Sequence, residues 1–324
     1  MKVFLNFKVA ILFVLIVLVF LQYLSAGLAL LAGLIFALTF GNPIREYTQK
    51  WAGVLLKASV IGLGFGLNLQ TLWVTTQQGL GLTISTIAFA MIVGLLLGKV
   101  LGVETKLSQL ISTGTAICGG SAIAAMAPTI RAKQEQTVVA ISIVFILNGI
   151  ALYVYPWLGH MMHLTQQQFG LWAALGIHDT SSVVGAASEY GQEALSIATT
   201  TKLARALWII PLVLLASWHM ARKTHEESHA KVKLPVFILF FILASAATTF
   251  LPLDSTQLPL TGKSIAGSLV FLAKAGLITS LLFMGAGFTR ATIKTLSPKP
   301  MMQAVILWLS ISTGSILAIL HLSS

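Results

Sequence analysis

Acidic side chains are what this sequence has least of. Nine Asp and Glu face 20 Lys and Arg across 324 residues, and charge of either sign accounts for only 9% of the chain against 56% hydrophobic residues. A soluble domain cannot hide that much apolar surface, and a mean hydropathy of +0.91 places the chain among polytopic membrane proteins. Cysteine is nearly absent. Cys118 stands alone, which excludes an internal disulfide and leaves a cysteine-based metal cluster without ligands. No G-x-x-x-x-G-K-[ST] stretch occurs, so nothing points to ATP as the energy source. No cofactor and no metal are expected. The excess of +11 would suggest nucleic acid in a soluble protein. Here the cations gather between apolar runs, as the positive-inside rule requires, and no nucleic-acid partner is expected.

What is present is a series of apolar runs at about 9–24, 26–40, 52–69, 79–101, 135–158, 196–221, 233–252, 264–289 and 301–320. The run from Val9 to Leu24, preceded by Lys2 and Lys8, has the look of a secretory leader. No small-residue cleavage site and polar mature region follow it, so it reads as a retained span. Connections are short, and the longest polar loop runs from Arg222 to Lys233. Two more segments, about 108–130 and 165–187, are apolar but interrupted. The first contains Ser112–Ala125, with three glycines, two serines and two threonines where a spanning helix would carry leucine. Backbone that leaves the helix at membrane depth must be buried in protein or line a cavity. The helix is expected to break at Gly119-Gly120, with Ser121 capping the half that follows. The second break spans Gly176 to Ser182.

Cations mark one side of the membrane: Lys2 and Lys8, Arg45 and Lys50, Lys99 and Lys106, Arg222 to Lys233, and Arg290, Lys294 and Lys299. Leu69–Gln78 and Leu253–Gly262 hold no Lys or Arg and fall on the other. This pattern puts the N-terminus in the cytoplasm and the C-terminus outside. Two schemes remain for the interrupted segments. If both cross fully, Arg131 and Lys133 land outside. If both are re-entrant, these cations return inside, and charge favours that scheme.

The second break holds His178 and Asp179, followed by Thr180, Ser181 and Ser182. One reading is a proton-coupling or substrate-orienting pair, since histidine titrates near neutral pH. The other has Asp179 capping a half-helix that starts near Thr180; the two are compatible. Lys57 and Lys274 lie inside apolar spans in similar surroundings, Leu55-Leu56-Lys57-Ala58 and Leu272-Ala273-Lys274-Ala275. Lysines near helix ends commonly snorkel, as Lys202 and Arg205 could also do. With half-helix N-termini, Lys57 and Lys274 would instead make an anion site. Thr115, Gly119, Gly120 and Ser121 on one break, and Thr180 and Ser181 on the other, are the expected substrate contacts. Asn148 reads as a helix–helix hydrogen bond. The scarcity of carboxylates steers the substrate toward a small anion. The partners are then that anion and the lipid bilayer, and a homo-oligomer is compatible with the sequence.

Gly114-Thr-Ala-Ile-Cys-Gly-Gly-Ser-Ala-Ile-Ala-Ala with Ala127-Pro128, and Ile177-His-Asp-Thr180 with Val183-Val184, Ala198-Thr and Lys202-Leu-Ala-Arg205, resemble the two signatures of the YeiH-type sulfate-exporter family. That resemblance implies a bacterial inner-membrane protein related to the cation/proton antiporters and bile-acid symporters. It further implies two inverted five-span repeats around crossed, interrupted helices, and so favours full crossing. The expected architecture is an all-α polytopic membrane protein of about 10–11 membrane helices, with two interrupted helices or re-entrant hairpins. Residues 1–25 would add an extra span, and 26–158 and 159–324 would be the two repeats. The expected function is secondary active transport of a small anion such as sulfate, an organic sulfonate or a carboxylate. A cation- or proton-coupled carrier of the same fold, or a gated channel, is the alternative. The lack of carboxylates in 108–130 counts against cation antiport. An enzyme is not expected, because the Ser, His and Asp near 178–182 are mere local neighbours.

Overall fold

The computed structural model describes residues 2–224, 236–251, 253, 264–288 and 297–323. Most of the loop from Arg222 to Lys233 and of Leu253–Gly262, and both Arg290 and Lys294, lie outside the described residues. The described chain is helical throughout: α1 Lys2–Phe20, α2 Ala26–Thr39, α3 Arg45–Gly64, α4 Leu69–Val100, α5 Thr105–Ala116, α6 Gly120–Thr129, α7 Gln134–Met161, α8 Gln166–Gly176, α9 Thr180–Tyr190, α10 Gln192–Leu207, α11 Ile209–Thr224, α12 Val236–Phe250, α13 Ile265–Ala286 and α14 Pro298–Ser323. Helices are what an apolar chain must form where water cannot satisfy its backbone. Five stretches are long and apolar enough to cross a bilayer: Leu72–Val100, Gln134–Met161, Gln192–Trp218, Ile265–Ala286 and Pro298–Leu322. Phe7–Phe20, Ala26–Thr39 and Val236–Phe250 are shorter apolar helices. The stretch Gln192–Trp218 bends at Trp208, between α10 and α11. Pro211 explains the bend, because its ring excludes the carbonyl four residues earlier.

The chain divides into two compact units that interleave in sequence, Met1–Val74 with Val236–Thr292, and Thr75–Pro235 with Ile293–Ser324. In the first unit, α13 packs on α2 and α3 at glycine distance. Gly33 abuts the backbone of Leu282 and Ala286, Gly285 abuts Leu30 and Leu34, and Gly62 abuts Ala273. The exposed carbonyls at the end of α13 are met by Asn42 Nδ2 on Ala286 O at 3.0 Å and Arg45 Nε on Gly287 O at 3.1 Å. Leu12, Val19, Ala29, Phe36, Leu282 and Ala286 form its core with α1.

The second unit settles what the interrupted segments do. Lys106, at the start of α5, donates from Nζ to the carbonyl of Arg131, just past α6, at 2.7 Å. Were α5 and α6 a through-going helix, those residues would be about 37 Å apart at 1.5 Å per residue. Likewise Tyr190 at the end of α9 donates its hydroxyl to Leu164 O, just before α8, at 2.7 Å, where a straight helix would separate them by about 39 Å. Gln166 Oε1 also accepts from the N–H groups of Glu193 and Ala194. Both segments therefore turn back, and each is a re-entrant hairpin. Full crossing, implied by the family resemblance, is corrected by these contacts. At 12 and 10 residues, α5 and α6 are about 18 and 15 Å long, too short for a core of about 30 Å.

The 28 residues of α7 separate the mouths of the hairpins, so the two enter from opposite faces. One face gathers Lys99, Lys106, Arg131 and Lys133, with Lys299 reaching Gly102. The other face, residues 159–168 and 189–195, has no Lys or Arg. α14 ties to both hairpins. Gln303 Nε2 donates to Gly94 O on α4 and Ser108 Oγ on α5, both at 2.9 Å. Trp308 Nε1 donates to Gly176 O at 3.1 Å, and Ser312 O accepts from Trp172 Nε1 at 2.8 Å. Tyr155 of α7 stacks on Trp172, with ring centroids 4.2 Å apart.

In a Cys118→Ser background, cysteines placed at Lys99 and at Lys133 should react with a membrane-impermeant thiol reagent from the same side. A cysteine at Gln166 should react from the opposite side. Fully crossing helices would reverse both relations.

Candidate functional site

The two hairpin tips meet. In the first, α5 ends at Ala116 and the chain passes through Ile117 and Cys118 to Gly119, which adopts φ 67° and ψ −124°. A side chain on Gly119 would come within 3.1 Å of Val144 Cγ1 and 3.5 Å of the carbonyl carbon of His178. Only glycine suits that backbone and that approach. Because Gly119 itself turns the chain, α6 begins at Gly120 with no side-chain cap. Ser121, expected as the cap, stands two residues past the cap position and is exposed. Gly119 offers the first N–H groups of α6 no side-chain acceptor, though the Ala122 N–H meets the Cys118 sulfur, and these groups carry the positive end of the helix dipole.

The second tip is closed differently. Asp179 is the N-cap of α9, and Oδ2 accepts from Ser181 N at 3.0 Å and Ser182 N at 3.3 Å, as well as from the Ser181 hydroxyl. The capping reading of Asp179 is what the geometry displays. The turn before it is held by Asn148 on α7, whose Oδ1 accepts from the N–H groups of His178 and Asp179, each at 3.1 Å. A mid-span asparagine thus supports a hairpin tip, where a plain helix–helix contact was expected.

The carbonyl ends of the half-helices face two cations on α10. Lys202 and Arg205 are both 0% exposed. Lys202 Nζ donates to Ile177 O at 2.6 Å and Ala174 O at 3.3 Å. Arg205 reaches both hairpins: Nε to Ala116 O at 2.7 Å, Nη2 to Thr115 O at 3.4 Å, and Nη1 to Ala174 O at 3.3 Å and to Leu175 O. These are carbonyls that the last turns of α5 and α8 cannot satisfy internally. Arg205 is a permanent cation, and its partners are dipoles, none of them a carboxylate. Snorkelling does not describe these side chains. Lys202 stands ten residues, about 15 Å, into a helical span that continues to Thr224, too deep to reach either surface. Their i,i+3 spacing was the available signal, since it aims both at one face.

Several buried polar atoms at the tips have no partner: Thr115 Oγ1, Asn148 Nδ2 and both ring nitrogens of His178, a residue only 1% exposed. Buried polar groups in native proteins are nearly always bonded, so each such atom calls for an explanation. Gly120, Asp179 and Thr180 are half-buried, and Ser181 is buried. Thr115, Gly119, Gly120, Ser121, His178, Asp179, Thr180 and Ser181 thus share one unit and two adjoining tips. Lys57, exposed on α3, and Lys274, half-buried on α13, belong to the other unit. No group of three His, Cys, Asp or Glu able to hold a metal occurs among the described residues. Cys118 is buried and free.

Opposed re-entrant hairpins among long apolar helices define a polytopic α-helical membrane protein with its polar residues gathered at the tips. The family described as "Conserved hypothetical protein 698" matches residues 3–304, and the chain belongs to that family. Relatives named as UPF0324 membrane proteins include one from Bdellovibrio bacteriovorus, 44% identical over 302 residues that cover 93% of this chain and 90% of the relative. A second, from Vibrio parahaemolyticus, is 45% identical over 299 residues, covering 91% and 92%. A third, from Bacteroides thetaiotaomicron, is 42% identical over 295 residues, covering 91% and 86%. No solved structure matches the chain.

Replacing Asn148 by Leu strands two buried N–H groups and should cost about 2–4 kcal/mol. Asn148→Asp, which keeps the acceptor oxygen, should lose less. The melting temperature of the detergent-purified protein ranks the two. Gly119→Ala forces a side chain into a left-handed conformation and should cost about 1–3 kcal/mol by the same measurement.

Proposed function

We propose that this protein is a secondary carrier of a small anion and that its binding site lies at the meeting of the hairpin tips. The observation that carries the reading is Arg205, a permanent cation with no exposed surface, bonded to helix carbonyls. Its dipolar partners share the charge without cancelling it, so the surrounding field favours an anion. The uncapped N-terminus of α6 supplies N–H donors, with the exposed Ser121 hydroxyl beside them and Thr180 on the facing tip. A helix N-terminus and a fixed positive field together attract oxyanions of the sulfate, sulfonate or carboxylate type. Sulfate is the first substrate to try, given the resemblance to the sulfate-exporter family. The wider likeness to cation/proton antiporters and bile-acid symporters is a proposal of the same kind.

His178 and Asp179 are the proposed proton-coupling pair, because both imidazole nitrogens are buried at the tip without a hydrogen-bond partner. The site needs no chemical transformation, so the protein is not proposed as an enzyme. The basic face, Lys99 to Lys133 with Lys299, is assigned to the cytoplasm by the positive-inside rule. α14 then runs outward from it, the N-terminus lies inside, and the membrane is a bacterial inner membrane.

Counterflow of labelled sulfate into proteoliposomes should be saturable. Ser121→Ala and Thr180→Ala should each lower the exchange rate by about tenfold, the equivalent of one lost hydrogen bond to a charged group. Wild-type rates in both variants would remove the site assignment. Linear, unsaturable flux would replace the carrier by a channel.

A further inference from the structure

Carriers that use alkali cations bind them with the backbone oxygens of unwound segments and half-helix C-terminal ends. The oxygens at the ends of α5 and α8 are of that kind, yet side chains already hold them. Lys202 Nζ sits on Ala174 O and Ile177 O. The guanidinium of Arg205 spans Thr115 O and Ala116 O on one hairpin and Ala174 O and Leu175 O on the other. We propose that Lys202 and Arg205 are tethered counter-cations, positioned where a mobile coupling cation would otherwise bind, so that the tip site operates without Na⁺ or K⁺.

Three features support this. The cations belong to α10, a third element packed against both halves of the second hairpin, so one rigid helix sets the spacing of both tips. Their depth keeps them from exchanging with bulk solution, since both are fully buried. Their partners include carbonyls from both hairpins, which gives the pair a role that a local helix cap would not have. Arg205 supplies its charge permanently, and the five carbonyl oxygens that it and Lys202 hold are not open to a dissociable ion. Lys202 and Arg205 act through the backbone they hold and are therefore positioning residues. The part about ligand coupling rests on the carrier reading; the part about cation seats does not.

The test uses the purified full-length protein and compares melting temperatures in choline, sodium and methylammonium chloride at equal ionic strength. Wild-type protein should melt alike in all three. Lys202→Ala should melt at least about 5 °C lower in choline and should regain half or more of that loss in sodium or methylammonium. Lys202→Arg should behave as wild type in every salt. A merely structural lysine would give a loss that no small cation repairs, and that result would overturn the proposal, as would the absence of any loss. Specific stabilisation of the wild-type protein by Na⁺ would overturn it even where the alanine variant does not fold. In proteoliposomes, wild-type sulfate counterflow should agree within about twofold among Na⁺, K⁺ and choline. Sodium-dependent counterflow would sink the coupling claim. Absent counterflow with melts as expected would overturn the carrier reading and leave the tethered cations in place.

Discussion

Ending two helices in the interior of an apolar protein leaves their last carbonyls unsatisfied, and the second unit depends on how Arg205 and Lys202 answer that need. Where water is excluded, an unpaired carbonyl costs far more than in solution. A guanidinium presents several donors in a rigid fork, which lets a single side chain serve α5 and α8 at once. Without it the tips would have to re-form helix, find other donors or separate. Lys202 extends the same service to Ile177, the residue at which the second hairpin turns.

The two hairpins share a plan and differ in one respect. Each pairs a helix of 12 or 11 residues with one of 10 or 11, and each has its carbonyl end taken up by α10. At the opposite polarity they part. α9 starts under a carboxylate, that of Asp179, while α6 starts under glycine. One N-terminal dipole is therefore neutralised inside the protein and the other is left for something else. That asymmetry is why the first tip is the better candidate for holding an anion.

Much of this was visible in the residues alone. Membrane embedding followed from composition, the places of both breaks from Gly119-Gly120 and Gly176–Ser182, and the cap of α9 from Asp179. Charge near Arg131 and Lys133 already favoured hairpins, and the Lys106–Arg131 contact explains why: the hairpin returns its cations to the side they left. Other features were hidden for identifiable reasons. Hydropathy counts Lys202 and Arg205 as misplaced charges, because it cannot see that broken helices nearby offer carbonyls. Asn148 shows nothing in sequence of the turn it supports, since His178 and Asp179 lie thirty residues further on. Ser121 fits the cap preference as a residue type, but the left-handed turn at Gly119 starts the helix before it.

The role of α14 bears on how the protein is made. Gln303 anchors the first hairpin, and Trp308 and Ser312 anchor the second, yet all three follow both hairpins in the chain by more than a hundred residues. A ribosome delivers the hairpins, then α10 to α13, and only afterwards the helix that fastens them. Until then α5, α6, α8 and α9 must wait in the membrane or at its edge with α4, α7, α10 and α11 as neighbours in this unit. Docking of α14 is therefore late relative to both hairpins, and the tips acquire their final geometry when it arrives.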